Sequence, residues 1–123
     1  MNLILIGVGG ALGAVSRYGI DKLITGIIGH TVLGTFAVNI SGSLMLGLIA
    51  GIASSRSNLP EAYTMLMAVG FCGSFTTFSA VTVSSFRLFE DGDYMTASTN
   101  IFGSIIVGLI AAGIGLWLGR QYF

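Results

Sequence analysis

Charge is what this chain has least of. Its 123 residues include five Lys or Arg and five Asp or Glu, 8% in all, against 54% hydrophobic residues. A soluble domain of this size exposes much of its area to water, and so few charged side chains cannot cover it. With the two signs in balance there is no basic footprint for nucleic acid and no acidic tail. Cysteine is reduced to Cys72, which excludes an internal disulfide framework and a cysteine-rich metal cluster. The lone histidine, His30, reads as a connector residue rather than a metal ligand. No His, Cys and carboxylate constellation lies deep in an apolar stretch, so nothing marks an enzyme.

What remains is a membrane protein, since a bilayer core about 30 Å thick needs roughly 20 mostly apolar helical residues per crossing. The charges leave room for four crossings. Residues 1–16 are uncharged, and a helix there can run to about Ile20 with Arg17 near its end. Residues 23–55 carry no formal charge, with a turn expected at Gly29-His30; 62–86 and 94–119 complete the set, Trp117 and Tyr122 standing where interfacial aromatics sit. The expected helices are 3–20, 32–54, 61–86 and 96–119. The connectors are 21–31, 56–61 with helix-starting Pro60, and 88–93, which leave no room for a soluble domain. The whole of 1–123 reads as one transmembrane unit. Its first run lacks a basic start and is followed by three more spans, so it is expected to be a retained helix rather than a cleaved signal.

An even number of spans puts Arg56 and Arg120 on one side and Arg17, Lys22 and Arg87 on the other. Orientation follows the Lys and Arg imbalance across short loops, and here it is nearly absent. Insertion both ways round, with pairing as an antiparallel dimer, is one reading; a fixed orientation set by the first helix is the other.

Glycine, by contrast, is abundant, with 19 residues. Gly9 with Gly13, Gly47 with Gly51 and Gly115 with Gly119 recur at helical spacing and would let backbones approach closely in lipid. More informative is Gly70-Phe71-Cys72-Gly73-Ser74-Phe75-Thr76-Thr77-Phe78-Ser79, where glycines and hydroxyls cluster in mid-span. A helix broken around Gly73 would expose carbonyls at one half-helix end and amides at the other, to hold a cation and attract an anion. A kinked packing helix is the alternative, because hydroxyls also bond back to helix carbonyls.

Two polar stripes stand out. Thr35, Asn39 and Ser43 are spaced by four in the second span, as are Thr96, Asn100 and Ser104 in the fourth. They serve either interhelical hydrogen bonding or a hydrated ion path. No acidic residue falls deep in an expected span, which argues against a proton relay or a carboxylate-based cation site. Amide and hydroxyl donors, exposed helix-start amides, and the ring edges of Phe75 and Phe78 suit an anion, although aromatic packing alone also accounts for the phenylalanines.

Three motifs occur in order: Gly9-Gly10-Ala11-Leu12-Gly13-Ala14-Val15-Ser16-Arg17-Tyr18, Gly34-Thr35-Phe36-Ala37-Val38-Asn39-Ile40-Ser41-Gly42-Ser43 and the 70–79 segment. Together they resemble the bacterial Fluc/CrcB fluoride-channel family along all four helices. That resemblance implies an all-α membrane protein with a broken third helix, assembled as an antiparallel dual-topology dimer in the bacterial inner (plasma) membrane. It implies two fluoride pathways and a central structural sodium ion. Asn39, Phe78 and Ser104 take pore-lining roles by resemblance, with Phe75 added as compensation for a missing phenylalanine. Thr35, Ser43, Thr77, Ser84 and Asn100 extend the polar track. Arg17 resembles the vestibule arginine, and the Gly73 and Thr76 carbonyls take the sodium.

The pattern departs from the family just after its strongest motif. Thr76-Thr77-Phe78-Ser79-Ala80-Val81 has no counterpart to the usual second phenylalanine, nor to the hydroxyl before it, and a family glutamate is replaced by Ser84. Such departures fit an altered homodimeric channel, an engineered variant, or one subunit of a heterodimer with a paralogue. The leading expectation is passive fluoride export that lowers fluoride toxicity, with membrane lipid, fluoride, sodium and a second subunit as partners and no nucleic acid. A dual-topology drug/proton exchanger and a nonconducting assembly subunit are the competing readings.

Overall fold

The computed structural model describes residues 1–29 and 31–123, so the connector role expected for His30 lies outside the described residues. All regular structure among them is helical. The chain runs through α1 (Asn2–Ile28), α2 (Thr31–Ser55), α3 (61–75), α4 (Phe78–Glu90) and α5 (Tyr94–Tyr122). Helices α3 and α4 are the two halves of one apolar span, Glu61–Glu90, so four helices are long and apolar enough to cross a membrane.

Each helix outlasts its expected limits. α1 does not stop near Ile20 but continues through Asp21 and Lys22 to Ile28, so the expected 21–31 connector is mostly helix. Charge does not end a helix that reaches beyond the hydrocarbon. Twenty-seven residues span about 40 Å, the full bilayer with its headgroups, so these side chains can leave the apolar core without unwinding the backbone. The Lys22 ammonium lies 5.5 Å over the Tyr18 ring one turn back. The real stop is Gly29, left-handed at φ 85°, whose N–H closes on the Thr25 carbonyl at 2.7 Å. Likewise the expected 88–93 connector shrinks to a turn at 91–93, built on Gly92 at φ 81° and closed by Asp93, whose carboxylate caps the Thr96 N–H.

Two pairs of helices running in the same direction form the body. α1 lies along α3, and α2 lies along α5. Glycine sets both seams. A methyl group at Gly9 or Gly13 would overlap the Leu66 or Phe71 carbonyl, and one at Gly115 or Gly119 the Leu44 or Leu48 carbonyl. These are backbone atoms that cannot rotate away, so the expected small-residue spacing corresponds to direct backbone approach. Beyond the break, α4 packs on α5. The chain ends meet the 54–61 connector: Arg56 donates to the Phe123 carbonyl, Arg120 to Ser54, and Asn2 to Glu61.

One feature of α3 carries no sequence signal. Residues Thr64–Cys72 are wound as a π-helix, with hydrogen bonds five residues apart, immediately before the break.

The seams yield a direct test. Gly115→Ala is expected to lower stability by about 1–3 kcal/mol through overpacking. Gly113→Ala, where nothing lies within 4 Å of the added carbon, should be nearly neutral. Thermal unfolding of the two variants in the same detergent measures the difference.

Candidate functional site

The chain leaves the helix at Thr76 (φ −85°, ψ 153°) and Thr77 (φ −149°, ψ 117°). Gly73, on which the sequence centred the break, is helical at φ −61°, ψ −36°. Nothing at Gly73 requires a non-helical backbone. What does fix the break is the set of partners that receive its peptide groups.

Ending one helix and starting another inside an apolar layer orphans several carbonyls and N–H groups. Four side chains answer them. The Thr76 hydroxyl and N–H both donate to the Cys72 carbonyl, at 3.0 and 3.1 Å. Thr77 caps α4, its hydroxyl accepting from the Ala80 N–H at 3.3 Å. Arg17 donates through Nε to the Ser74 carbonyl at 3.2 Å, which places a positive charge at the negative end of α3. Asn39, in mid-α2, grips Thr77 twice: Oδ1 accepts its N–H at 2.8 Å, and Nδ2 donates to its carbonyl at 3.0 Å. No hydrogen bond to the Gly73 or Thr76 carbonyl is present among the described residues.

On one side of the break an open groove of about 560 Å³ runs between α2, α4 and α5. Asn39, Ser43, Thr76, Thr77, Phe78 and Ser104 line it together with Val81, Thr82, Phe86 and Ile105, and none of its lining side chains carries a charge. Phe78 is 80% exposed on this open face. The Ser104 hydroxyl is buried and has no hydrogen-bond partner among the described residues.

The other expected site residues fall elsewhere. Phe75 is only 3% exposed, stacked on Phe71 at 5.3 Å between centroids, and is not part of the groove wall. Arg17 meets the break from the α1 side and is likewise absent from the groove. Thr35 is half-buried and outside it. The fourth-span stripe divides: Ser104 faces the groove, whereas Asn100 donates to Ser85 at 2.8 Å and Ser84 at 3.3 Å and borders a second cavity of about 570 Å³ with Val32, Phe36 and Thr96. Ser84 also donates back to the Val81 carbonyl.

Sequence reasoning missed Ser85, 1% exposed, and the groove-lining Thr82. The spacing of Val81, Ser85 and Leu88 marks the inward face of α4 and could have singled out Ser85. Val81 is buried at 7% exposure and borders the groove where the family pattern has an aromatic ring. Replacing Asn100 with Ala removes both donors that tie α4 to α5 and should cost about 1–2 kcal/mol, read as a lower thermal midpoint in detergent.

Comparison with known proteins agrees along almost the entire chain. The family model described as CrcB-like protein, Camphor Resistance (CrcB), matches residues 4–116. The chain is 39% identical over 122 residues to the fluoride-specific ion channel FluC of Syntrophotalea carbinolica, covering 98% of this chain and 99% of that one. It is 40% identical over 117 residues to the fluoride-specific ion channel FluC 2 of Symbiobacterium thermophilum, covering 94% and 92%. Against the FluC of Coxiella burnetii it is 36% identical over 123 residues, covering 98% and 99%. With four apolar crossings and these motifs in place, the chain is a multi-pass membrane protein that belongs to the CrcB-like family.

Proposed function

We propose that this chain is a subunit of a fluoride-selective channel that lets fluoride leave the cytoplasm passively across the bacterial inner membrane. The observation that carries this reading is the charge-free groove at the break, where amide, hydroxyl and aromatic groups converge and the Ser104 hydroxyl has no partner among the described residues. Neutral donors bind a small anion weakly enough to release it, whereas a fixed cation in the wall would hold it. The relatives named above as fluoride-specific ion channels supply the identity of that anion.

The groove is open along α4, and exposed Phe78, Val83 and Phe86 stand on that helix. A second copy inserted in the opposite sense would close it, which is the dual-topology dimer. The weak Lys and Arg bias supports that assembly.

A structural sodium ion fits the break. Among the described residues no group of three or more His, Cys, Asp or Glu could hold a metal, so the donors on offer at the break are neutral oxygens, backbone carbonyls among them. The Gly73 and Thr76 carbonyls, which accept no hydrogen bond among the described residues, would hold it. Bound there, sodium would offset the negative carbonyl end of α3 and tie the subunits together.

Two competing readings change weight. The exchanger reading needs a carboxylate within a span, which the expected helix 3–20 lacks, yet α1 includes Asp21, whose Oδ1 is buried without a partner among the described residues. Asp21 borders neither of the two large cavities described above. A nonconducting subunit of a heterodimer is favoured by Val81 in the groove wall.

Reconstituted in liposomes, the chain is expected to pass fluoride selectively over chloride, measured with a fluoride electrode. Ser104→Ala should slow that flux about fivefold, the equivalent of one neutral hydrogen bond. Flux only when a paralogous subunit is added assigns the heterodimer; no flux in either case overturns the channel reading.

A further inference from the structure

The pairing between Asn39 and Thr77 reaches one atom further than the groove. The Thr77 N–H, held by Asn39 Oδ1 at 2.8 Å, belongs to the same planar peptide unit as the Thr76 carbonyl. No peptide bond in the chain is cis among the described residues, so the two groups point in opposite directions. Whatever fixes the N–H toward α2 therefore fixes the Thr76 oxygen away from it. Asn39 Nδ2 completes the constraint by holding the Thr77 carbonyl at 3.0 Å, so the extended residue is gripped on both of its polar groups. Nothing else among the described residues bonds to either group of Thr77's main chain outside helix geometry.

We propose that Asn39 is a positioning residue for the Thr76 carbonyl, aiming that oxygen at sodium while its own amide stands in the groove wall. The inference rests on the sodium reading given above. It makes one side chain common to the cation site and the anion groove. Asn39 Nδ2 has two hydrogens, and its bond to Thr77 occupies one, so the other remains for a passing anion. Loss of an outer-shell orienting partner typically weakens metal binding about 10–100-fold. The same residue is thus needed for two measurements that a simple pore-lining role would keep separate.

The experiment is sodium-dependent thermal stabilisation of the purified protein in detergent, titrated against a large organic cation at constant ionic strength. Asn39→Ala is expected to raise the sodium concentration for half-maximal stabilisation about tenfold or more. Ser104→Ala alters the groove at a hydroxyl that makes no hydrogen bond to the break among the described residues; it should slow fluoride flux with an unchanged sodium midpoint. An unchanged midpoint in Asn39→Ala, with flux lost, would overturn the proposal and leave Asn39 as an anion ligand only. If sodium stabilises not even the parent protein, the sodium reading itself fails, and that outcome is distinct from the previous one. Should Asn39→Ala not fold, amide hydrogen exchange at Thr77 in the parent decides: slow exchange, slower again with sodium, supports the proposal, and fast exchange in both conditions refutes it.

Discussion

Backbone polar groups have nowhere to go in hydrocarbon, and each one left unpaired costs several kcal/mol, roughly the stability of a small domain after only a few such losses. A helix interrupted at mid-membrane is therefore allowed only where the surrounding protein takes over its hydrogen bonds. Here α1 and α2 do so from two sides, Arg17 on the Ser74 carbonyl and Asn39 on Thr77. The glycine seams make this possible. They bring α1 against α3 and α2 against α5, and at Gly42 α2 comes so near the Thr76 methyl that an added carbon would overlap it, distances that larger side chains would lengthen. Packing and polar chemistry are thus one construction: small residues set the spacing, and two long polar side chains use it.

The same construction separates groups that share a helix face on paper. Asn100 and Ser104 lie one turn apart on α5, yet the first is consumed by the α4 serines and the second has no hydrogen-bond partner among the described residues and borders the groove. What distinguishes them is the neighbour. After the break, α4 sets Ser84 and Ser85 against Asn100, while Phe78, Val81 and Ser104 border open space. A polar residue bonded inside the protein stabilises the fold; one without a partner remains available to a ligand.

Much of this was legible in the sequence. Hydropathy and the placement of ten charges separate four crossings, because the length of an apolar run is itself the constraint. Helix ends were less legible, since Asp21 and Lys22 read as a connector while the backbone continues through them. The break was anticipated at the glycine cluster but sits three residues later. Part of what fixes it there is Asn39, 38 residues away in sequence, a bond that no local pattern reports. Phe75 shows the same limit from the other direction: composition cannot tell a ring packed on Phe71 from one facing a groove.

The π-wound segment Thr64–Cys72 gives the third span a reserve of chain. Wider winding stores an extra residue without lengthening the helix in proportion. Each residue of an α-helix turns the chain by about 100°. Losing one from the α-wound residues 73–75 would thus swing Thr77 away from Asn39, whereas losing one from the π segment can be absorbed by a return to α-winding. The π stretch acts as slack in the third span, taken up before the break has to move.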